Sequence, residues 1–400
     1  NYLQIIVLLY FFMKILFVHN FYPKRSPSGE NVCVDDEILL LKSKGYDVEV
    51  FQIYTDEFLK NGLFAYIFAF IFCAINPFQI FKYLKKIYLF SPDVVHIHNT
   101  FPYISSAILW FTPKKIKVIQ TLHNYRITCG TTTLLRNNKI HTTCINSKNP
   151  LSCLKYNCYK DSFFATLPVA LSNYIHKRFN TWERVDKFIV LSNFQKSLMS
   201  KWGIQKEKIH VKPNFLNIKP QVKLANMQSK SIVFVGLLSE YKGIKLLKNS
   251  WLKYSQNNND IQLKIIGSGP LHEELDSLPN TKIYGLLDRE EVIYEISKSK
   301  FLIFPSLCHE TFGLTMIESF SQGTPVIASN ISPINEIVKN GVNGYLFEPN
   351  EEGLLSVLNN KIINNNAEYE VLSENALRDF KNKYSSDAHF KNINKIYQDR

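Results

Sequence analysis

The hydrophobic and polar positions of this chain alternate between short apolar runs and longer stretches of helical periodicity, and this order occurs twice. Short apolar runs bounded by turn residues predict buried strands, and the amphipathic stretches between them predict helices. The predicted strands lie near 15–18, 48–52, 94–98, 118–122, 188–191 and 210–212 in the first half, and near 232–235, 262–266, 282–284, 301–304, 325–328 and 345–347 in the second. This alternation predicts two α/β domains with parallel sheets.

A Pro-Asn pair and a polar stretch separate the two halves. Pro213-Asn214 precedes the polar segment 218–231, which we interpret as the hinge. The predicted domains are therefore 13–212 and 213–385. Open α/β sheets bind ligands beyond the carboxyl ends of their strands, so two such domains facing each other would share a site in the cleft between them.

Length and composition fit a folded protein of about two domains, since 400 residues with 46% hydrophobic content allow a core in each. The net charge of +13 favours polyanionic partners such as nucleotides, nucleic acids or an anionic membrane surface. No arginine-rich arm, zinc-finger spacing of the DNA-reading type or RNA-binding signature is present, so nucleic acid is disfavoured as a partner. The abundance of Lys, Asn and Ile is equally explained as a compositional habit.

The amino-terminal dozen residues are apolar and precede Met13-Lys14. They are too short to span a bilayer and lack the basic start and cleavage site of a signal peptide. We interpret 1–12 as upstream translation and Met13 as the start. Without an export signal, the 7 cysteines are expected to be reduced in a cytoplasm.

One segment, Leu63 to Phe81, is almost entirely apolar and aromatic, and it is followed by Lys82, Lys85 and Lys86. Asn76-Pro77 breaks it, which argues against a spanning helix of about 20 apolar residues. Two interpretations remain open, a buried helix pair or an interfacial helix that contacts lipid headgroups through its lysines. The second predicts peripheral contact with an anionic membrane.

The segment with the most functional information has two glutamates, Glu310 and Glu318, on either side of a Phe-Gly turn. It follows the predicted strand 301–304, and a helix is predicted from Leu314 to Gln322. Helix N-termini bind anions, and carboxylates beside them accept hydrogen bonds from neutral hydroxyls such as those of sugars. Glu318, about two turns further on, is placed to do the same for a ribose. The sequence therefore predicts a sugar-nucleotide site.

Two glycine-containing loops follow strands in the same half. Gly267-Ser268-Gly269-Pro270 leaves the strand 262–266 and precedes a predicted helical stretch, 271–275. The loop from Gly236 to Gly243 places Lys242 near a helix start, where lysine would neutralise a diphosphate. Either loop alone is equally explained as a tight turn. Because the two loops and the paired glutamates occur in this order along the chain, the motifs together are specific for a sugar-nucleotide site.

These features resemble glycosyltransferase family 4, the retaining transferases of the GT-B fold, an α/β fold with two Rossmann-like domains whose parallel sheets face each other across a cleft. The resemblance extends over nearly all of Met13 to Arg400. It includes Val211-Lys212-Pro213-Asn214 at the hinge, Gly341 to Leu346, the first loop Pro27 to Asn31, and the histidine motifs Asp93 to Asn99 and Thr121 to Asn124.

The resemblance implies a role for each matching residue. Glu310 would contact the donor sugar with the amides of Phe312 and Gly313, Glu318 would bind the ribose, and Lys242 would stabilise the leaving diphosphate. Gly29 would let the first loop close over the phosphates, and His123 would lie beneath the sugar. No catalytic metal or cofactor is implied. The implied catalytic residues are Glu310, His123 and Lys242, and the implied donor-binding residues are Gly29, Leu237, Lys242, Gly267, Gly269, Pro270, Phe312, Gly313, Leu314 and Glu318.

One departure from the family concerns Leu237, because the family usually has an arginine there that is paired with the lysine on the diphosphate. Losing one such charge-assisted contact would lower the stabilisation of the leaving diphosphate by about 1.5 to 3 kcal/mol. Phe215, where a glycine is common, is a milder departure. His96 and His98 share one face of their predicted strand, and one or both are more simply explained as structural.

The resemblance implies transfer of a hexose-type sugar from a nucleotide-diphosphate donor to a glycan or lipid-linked acceptor, in cell-surface polysaccharide biosynthesis at the inner face of the cell membrane. In this fold the final segment, about 386–400, would form a helix that packs back on the first domain. The alternatives are a sugar-nucleotide epimerase or phosphorylase on the same fold, and a non-catalytic GT-B partner.

Four cysteines, Cys129, Cys144, Cys153 and Cys158, lie close together in an insertion-like stretch. His141 and Cys144 have the spacing of a zinc half-site, so Cys129, His141, Cys144 and Cys158 would make a structural zinc site, with Cys153 as a possible substitute. A subgroup of the family has a similar cysteine-rich insertion. The alternative is a set of free, half-buried thiols.

Overall fold

The computed structural model describes residues 13–23, 28–60, 62–218, 229–258, 260–362 and 366–399. The amino-terminal segment 1–12, part of the first loop and most of the polar hinge stretch lie outside these ranges. The chain divides into two compact units, one made of residues up to Leu122 together with Leu171–Ile189, the other of His123–Ala170 together with Val190–Arg400.

The first sheet contains the six strands predicted in the first half of the sequence, in the order β2-β1-β3-β4-β7-β8. The pairings of β1 with β2 and β3, and of β3 with β4, are parallel. A small antiparallel hairpin, β5 with β6, was not predicted. The bounds are β1 Lys14–Phe21, β2 Asp47–Tyr54, β3 Val94–Asn99, β4 Lys117–Leu122, β5 Leu135–Arg136, β6 Lys139–Ile140, β7 Lys187–Val190 and β8 Ile209–Val211.

The second sheet contains the six strands predicted in the second half, in the order β11-β10-β9-β12-β13-β14, and its pairings are parallel. The strand order changes direction between β9 and β12, and this is where an open α/β sheet binds its ligand. The bounds are β9 Ser231–Val235, β10 Gln262–Ile266, β11 Thr281–Gly285, β12 Phe301–Phe304, β13 Val326–Ser329 and β14 Gly344–Phe347.

Helices connect the strands in both halves, as the periodicity predicts. Their bounds are α1 Gly29–Ser43, α2 Thr55–Leu59, α3 Leu63–Phe72, α4 Pro77–Phe90, α5 Ile108–Phe111, α6 Thr143–Ser147, α7 Phe163–Arg178, α8 Asn193–Trp202, α9 Ile244–Ser255, α10 Arg289–Ser297, α11 Leu314–Ser321, α12 Ile334–Ile337, α13 Glu351–Lys361, α14 Asn366–Asp379 and α15 Ser386–Gln398.

Local sequence explains several helix starts. Asp288 forms a capping box with Glu291 at the start of α10. Asn76 caps α4 through a hydrogen bond from the amide of Gln79, and Pro77 occupies the first helical position, which needs no amide donor. The residues that break the apolar run in the sequence therefore start its second helix.

The stretch 271–275 is not the helix that the sequence predicts, since only a 3₁₀ turn, Glu273–Leu275, forms there. The chain is held by the neighbouring loop instead, because the amide of Leu271 donates to the carbonyl of Leu238 at 3.0 Å.

Apolar side chains cover both faces of the second sheet. On one face Trp251 of α9 and Leu354 of α13 are fully buried with the strand residues Ile232 and Ile265. On the other face Met316 and Phe320 of α11 are buried with Leu302 of β12. Parallel strands with apolar residues on both faces are expected to form such a sheet between two helical layers.

The apolar segment of the first unit folds as the helix pair α3 and α4. Many of its large side chains are exposed, among them Phe64 at 78%, Phe78 at 60% and Phe81 at 71%. Lys82 and Lys85 on α4 are exposed as well. Within the described ranges, no helix has both the length and the apolar character needed to cross a membrane.

The predicted domain boundary at 212 and 213 differs from the division into compact units, because the second unit also includes the insertion His123–Ala170 and the segment after β7. The final segment is helical, as predicted. Its His389 lies against Lys212, with Nζ 3.2 Å from Nδ1, and stacks on Phe215 with ring centroids 3.8 Å apart. The proposed packing of this helix on the first domain stays a prediction.

Candidate functional site

Lys242 and Glu310 come together in the second unit. Lys242 lies in the turn between β9 and α9, and Glu310 lies in the loop between β12 and α11. Their Nζ and Oε1 atoms are 2.5 Å apart, and both side chains are mostly buried, with 24% and 13% of their surface exposed. The two residues therefore meet beyond the strand pair at which the sheet order reverses.

Glu310 is held by two further residues that the sequence reasoning missed. The hydroxyl of Ser306 donates to the same carboxylate oxygen at 2.6 Å. The hydroxyl of Tyr125, in the insertion of the same unit, donates to the Glu310 backbone carbonyl at 3.1 Å. Tyr125 follows the histidine motif and Ser306 follows β12, so both lie at strand ends where ligand-binding residues are expected.

Each charged group of the Lys242–Glu310 pair favours the charged form of the other. Burial alone would raise the pKa of Glu310, but the Lys242 charge and hydrogen bonds from Lys242, Ser306 and Cys308 outweigh it and lower this pKa. Burial opposes the charge on Lys242 as well, and Glu310 nevertheless raises the pKa of this lysine. The neighbouring Cys308 is a neutral thiol, because burial and then the Glu310 charge raise its pKa to about 12. The site therefore holds a carboxylate and an ammonium group in contact.

The two glycine loops pack against each other in a way that only glycine permits. A Cβ on Gly267, whose φ is +138°, would lie 1.9 Å from the carbonyl oxygen of Gly236, and one on Gly269 would lie 2.5 Å from that of Leu238. The amide of Leu238 donates to the carbonyl of Ser268 at 2.9 Å. The backbones of these loops thus touch directly beyond β9 and β10, with Pro270 continuing the second loop.

Leu237 has an exposed side chain, with 44% of its surface accessible. It lies in the loop after β9 that also leads to Lys242. The position at which the family usually has arginine therefore carries an exposed apolar side chain in this protein.

The Phe-Gly turn starts α11 as predicted. Gly313 has a φ of +93°, and a Cβ there would lie 2.6 Å from Cε of Met316. Phe312 is buried and its ring packs against Tyr384, with centroids 5.9 Å apart. Leu314 is the first residue of the helix. The amide groups assigned to the donor therefore lie at a helix N-terminus of the kind that binds anions.

Glu318 lies on α11 and is paired with Arg289, the first residue of α10, with Oε1 3.4 Å from Nε. Burial raises the pKa of Glu318, and the Arg289 charge only partly offsets this. Sequence reasoning missed Arg289, because the two residues belong to different helices and no local spacing connects them. The assignment of Glu318 to a ribose stays a prediction.

Two further residues predicted for the site, His123 and Gly29, lie outside the glycine loops and α11. His123 is buried directly after β4, the strand end at which it was predicted. Gly29 is the first residue of α1, whose N-cap Ser28 accepts a hydrogen bond from the amide of Asn31. Their assigned roles beneath the sugar and over the phosphates stay predictions.

The cysteine-rich insertion brings part of the predicted zinc set together. Cys144 and Cys153 are hydrogen-bonded, which together with burial raises the pKa of Cys144 far above its ordinary value. The Sγ atom of Cys129 instead lies 3.1 Å from Oγ1 of Thr131, and the His141 ring packs against Tyr156. The zinc site of Cys129, His141, Cys144 and Cys158 stays a prediction.

A different cluster of side chains has its ligand atoms close enough together to bind a metal ion. Within the part of the chain that the structure describes, the one group of three or more His, Cys, Asp or Glu side chains whose ligand atoms all lie within 4.8 Å of one another is Glu37, His96 and His98.

Comparison with known proteins agrees with this architecture. Residues 27–219 match the family described as Glycosyltransferase Family 4, and residues 217–379 match Glycosyl transferases group 1. A protein of Haemophilus influenzae named as an uncharacterized glycosyltransferase is 30% identical over 187 residues, covering 44% of this chain and 52% of that protein. A 41.2 kDa protein in the cps region of Klebsiella pneumoniae is 26% identical over 275 residues, 64% of each chain.

Among solved structures, Anabaena HepE in complex with UDP and glucose aligns with a TM-score of 0.62 at 16% identity, covering 97% of this chain and 100% of that one. The chain spans about half the length of the first curated relatives it matches, between 45% and 52%. Two parallel Rossmann-like sheets, with a charged pair and glycine loops at the reversal point of the second, define a protein of the GT-B fold. The chain belongs to glycosyltransferase family 4.

Proposed function

We propose that this protein is a retaining glycosyltransferase that moves a hexose-type sugar from a nucleotide-diphosphate donor to a glycan or lipid-linked acceptor. The observation that carries the proposal is the contact between Lys242 and Glu310 beyond β9 and β12, with the glycine loops beside it. Glycines allow a diphosphate to approach the backbone closely, and lysine supplies the charge that the leaving diphosphate requires.

In this proposal the two charged groups have separate tasks. Lys242 stabilises the negative charge that accumulates on the diphosphate as the glycosidic bond breaks. The Glu310 carboxylate accepts hydrogen bonds from sugar hydroxyls, and its position is fixed by Ser306 and Tyr125. Retention follows if the acceptor attacks from the face that the diphosphate leaves, with a leaving-phosphate oxygen accepting the acceptor proton. None of these tasks requires a catalytic metal.

Two features support the choice of donor and setting. HepE, which shares the fold, was solved with UDP and glucose, so a nucleotide-diphosphate sugar suits this architecture. The relative in the cps region of Klebsiella pneumoniae supports a role in cell-surface polysaccharide biosynthesis. The exposed aromatic residues and lysines of α3 and α4 support attachment to an anionic membrane at its inner face.

The test is release of UDP or GDP by the purified full chain over a panel of sugar nucleotides, with and without lipid-linked glycan acceptors. We expect acceptor-dependent release with one donor, and we expect Glu310→Ala to lower turnover by at least about 100-fold, as for loss of a group that binds the transition state. Glu351→Ala, at a partly exposed glutamate of α13, is the control and should retain full activity.

Circular dichroism and nucleotide binding by calorimetry accompany the assay. Absence of acceptor-dependent release across the whole panel, from folded protein that binds nucleotide, would favour the non-catalytic alternative motivated by Leu237. Normal turnover in a folded Glu310→Ala variant would remove Glu310 from the catalytic site.

A further inference from the structure

Three buried side chains of the first unit form a compact group that the proposed transferase reaction does not use. Glu37 lies on α1, and His96 and His98 lie on β3, with 3%, 0% and 5% of their surfaces exposed. One ligand atom of each lies within 4.8 Å of the others. Burying charged or polar groups is costly unless they are paired, so a carboxylate and two imidazoles this far from water are stabilised by their contacts with one another and with neighbouring groups.

The alternation of side chains along a strand and the spacing of side chains along a helix bring these three residues together. His96 and His98 are two residues apart on a strand and so share a face, with ring centroids 4.2 Å apart. Phe17 of β1 lies beside both rings, at 5.1 Å from each. Glu37 lies one turn from the fully buried Val34 and Leu41, on the face of α1 that is otherwise apolar.

The contacts of His96 have the form seen at metal-binding histidines. Nε2 lies 2.8 Å from the hydroxyl of Thr121, and Nδ1 lies 3.3 Å from Oε1 of Glu37. Metal-bound histidines commonly donate their second ring N–H to an oxygen in this way, which leaves the other nitrogen unprotonated. In the tautomer that donates from Nε2 to Thr121, Nδ1 is unprotonated and faces a carboxylate oxygen, so both atoms can be ligands of one cation.

The 3.3 Å between Nδ1 of His96 and Oε1 of Glu37 also suits two ligands of one metal ion. Ligand atoms about 2.1 Å from a tetrahedral zinc ion are about 3.4 Å apart. Two imidazole nitrogens and one carboxylate oxygen are a usual ligand set for zinc and related first-row divalent ions.

We propose that Glu37, His96 and His98 bind one divalent transition-metal ion, with zinc as the natural occupant. The ion would link α1 to β3 inside the first unit. This site uses none of the residues assigned to the proposed transferase activity and none of the cysteine-rich insertion. The competing arrangement is a direct hydrogen bond between His96 and Glu37 with no metal.

The experiment uses the full chain carrying Cys129→Ser, Cys144→Ser, Cys153→Ser and Cys158→Ser, so that thiolates of the insertion do not contribute. This background protein is freed of metal with a chelator and titrated with cobalt(II), followed by absorption spectroscopy and by metal analysis after gel filtration. We expect one cobalt ion per chain with visible d–d bands but without the near-ultraviolet charge-transfer band of thiolate ligands. Zinc should displace the cobalt.

Glu37→Gln keeps the shape of the side chain but removes the ligand charge, and it should weaken cobalt binding at least tenfold. Asp35→Asn removes the same charge from an exposed position of the same helix and should bind cobalt as the background protein does. Equal binding by the Glu37→Gln variant would overturn the proposal.

Thermal unfolding of the background protein provides a measurement that does not depend on the variants folding. A ligand that binds only the folded state raises the Tm, so added zinc should raise the Tm of the background protein and of Asp35→Asn. Absence of both a Tm shift and bound cobalt in the background protein would establish the metal-free hydrogen bond instead.

Discussion

The ammonium group of Lys242 lies 2.5 Å from the carboxylate of Glu310, and the hydroxyl of Ser306 donates to the same oxygen. Lysine and glutamate are 68 positions apart and follow different strands of the second sheet. In the proposed function, the sugar hydroxyls and the diphosphate of a donor would contact the two halves of one ion pair, Glu310 and Lys242 respectively.

The first prediction concerns the pH dependence of this pair. Glu310→Gln should lower the free energy of unfolding by about 1 to 3 kcal/mol at pH 7, because a mostly buried lysine loses its charged partner. The pKa of Glu310 is lowered in the folded state, so its contribution is complete above the ordinary glutamate pKa and is lost as the pH falls through the lowered value. The difference from the parent protein should therefore shrink below about pH 4.

Urea unfolding from pH 3 to 8 measures this difference, with Glu351→Gln as the control. Glu351 pairs with Lys253 at 2.7 Å, but this pair is exposed and screened by solvent, so its loss should have a much smaller effect. A Glu310→Gln protein as stable as its parent at pH 7 would show that the contact does not stabilise the fold.

The second prediction concerns Gly243, which follows Lys242 with a φ of +79°. A Cβ there would lie 1.9 Å from the backbone oxygen of Pro305, whereas Gly341, with a φ of +71°, has open space around its Cβ position. Gly341→Ala should therefore cost only the strain of the left-handed backbone, about 1 to 2 kcal/mol. Gly243→Ala should cost about 1 to 3 kcal/mol more, because the backbone must move.

Urea midpoints of the two variants provide the comparison, and nucleotide binding reports whether Lys242 moves with the backbone. Equal midpoints would mean that the close approach of Gly243 to Pro305 is not maintained in solution.

The third prediction concerns the exposed face of α3 and α4. If it contacts lipid, the protein should sediment with vesicles containing anionic lipid more strongly than with neutral vesicles, and salt should weaken the binding. Phe78→Ser and Phe81→Ser should each weaken it about 10- to 150-fold, since burying an aromatic side chain contributes about 1.5 to 3 kcal/mol. Phe111→Ser removes an aromatic side chain that is 49% exposed elsewhere in the same unit and should have no effect. Equal binding by all three variants would place the membrane contact elsewhere.

The fourth prediction concerns the cysteine-rich insertion. If Cys129, His141, Cys144 and Cys158 hold zinc, the cobalt-substituted protein should show thiolate charge-transfer absorption, and Cys144→Ser should abolish it. Cys73→Ser, at a buried cysteine outside the insertion, should leave it unchanged. Without metal, burial and then the neighbouring Cys144 raise the pKa of Cys158 to about 11, so this thiol should react slowly with alkylating reagents at pH 8. Folded protein without thiolate-bound metal would leave the cysteines as free thiols.

Several elements of the fold were accessible from the sequence because their cause is local. The apolar run 301–304 is a buried strand, and the Phe-Gly turn starts α11 where the pattern placed it. The stretch 271–275 shows the limit, because its conformation depends on a hydrogen bond to Leu238 in another loop rather than on its own periodicity.

The two α/β halves, the strands of the two six-stranded sheets and the glycine loops could be predicted from the sequence, since hydrophobic periodicity and turn residues act over a few positions. The likeness to glycosyltransferase family 4 rests on its motifs. The pairing of Lys242 with Glu310 and of Glu318 with Arg289 depends on tertiary contacts. So does the hydrogen bond from Tyr125, 185 positions away, to the backbone of Glu310. These contacts depend on how distant loops meet at the end of a sheet, which no local pattern specifies.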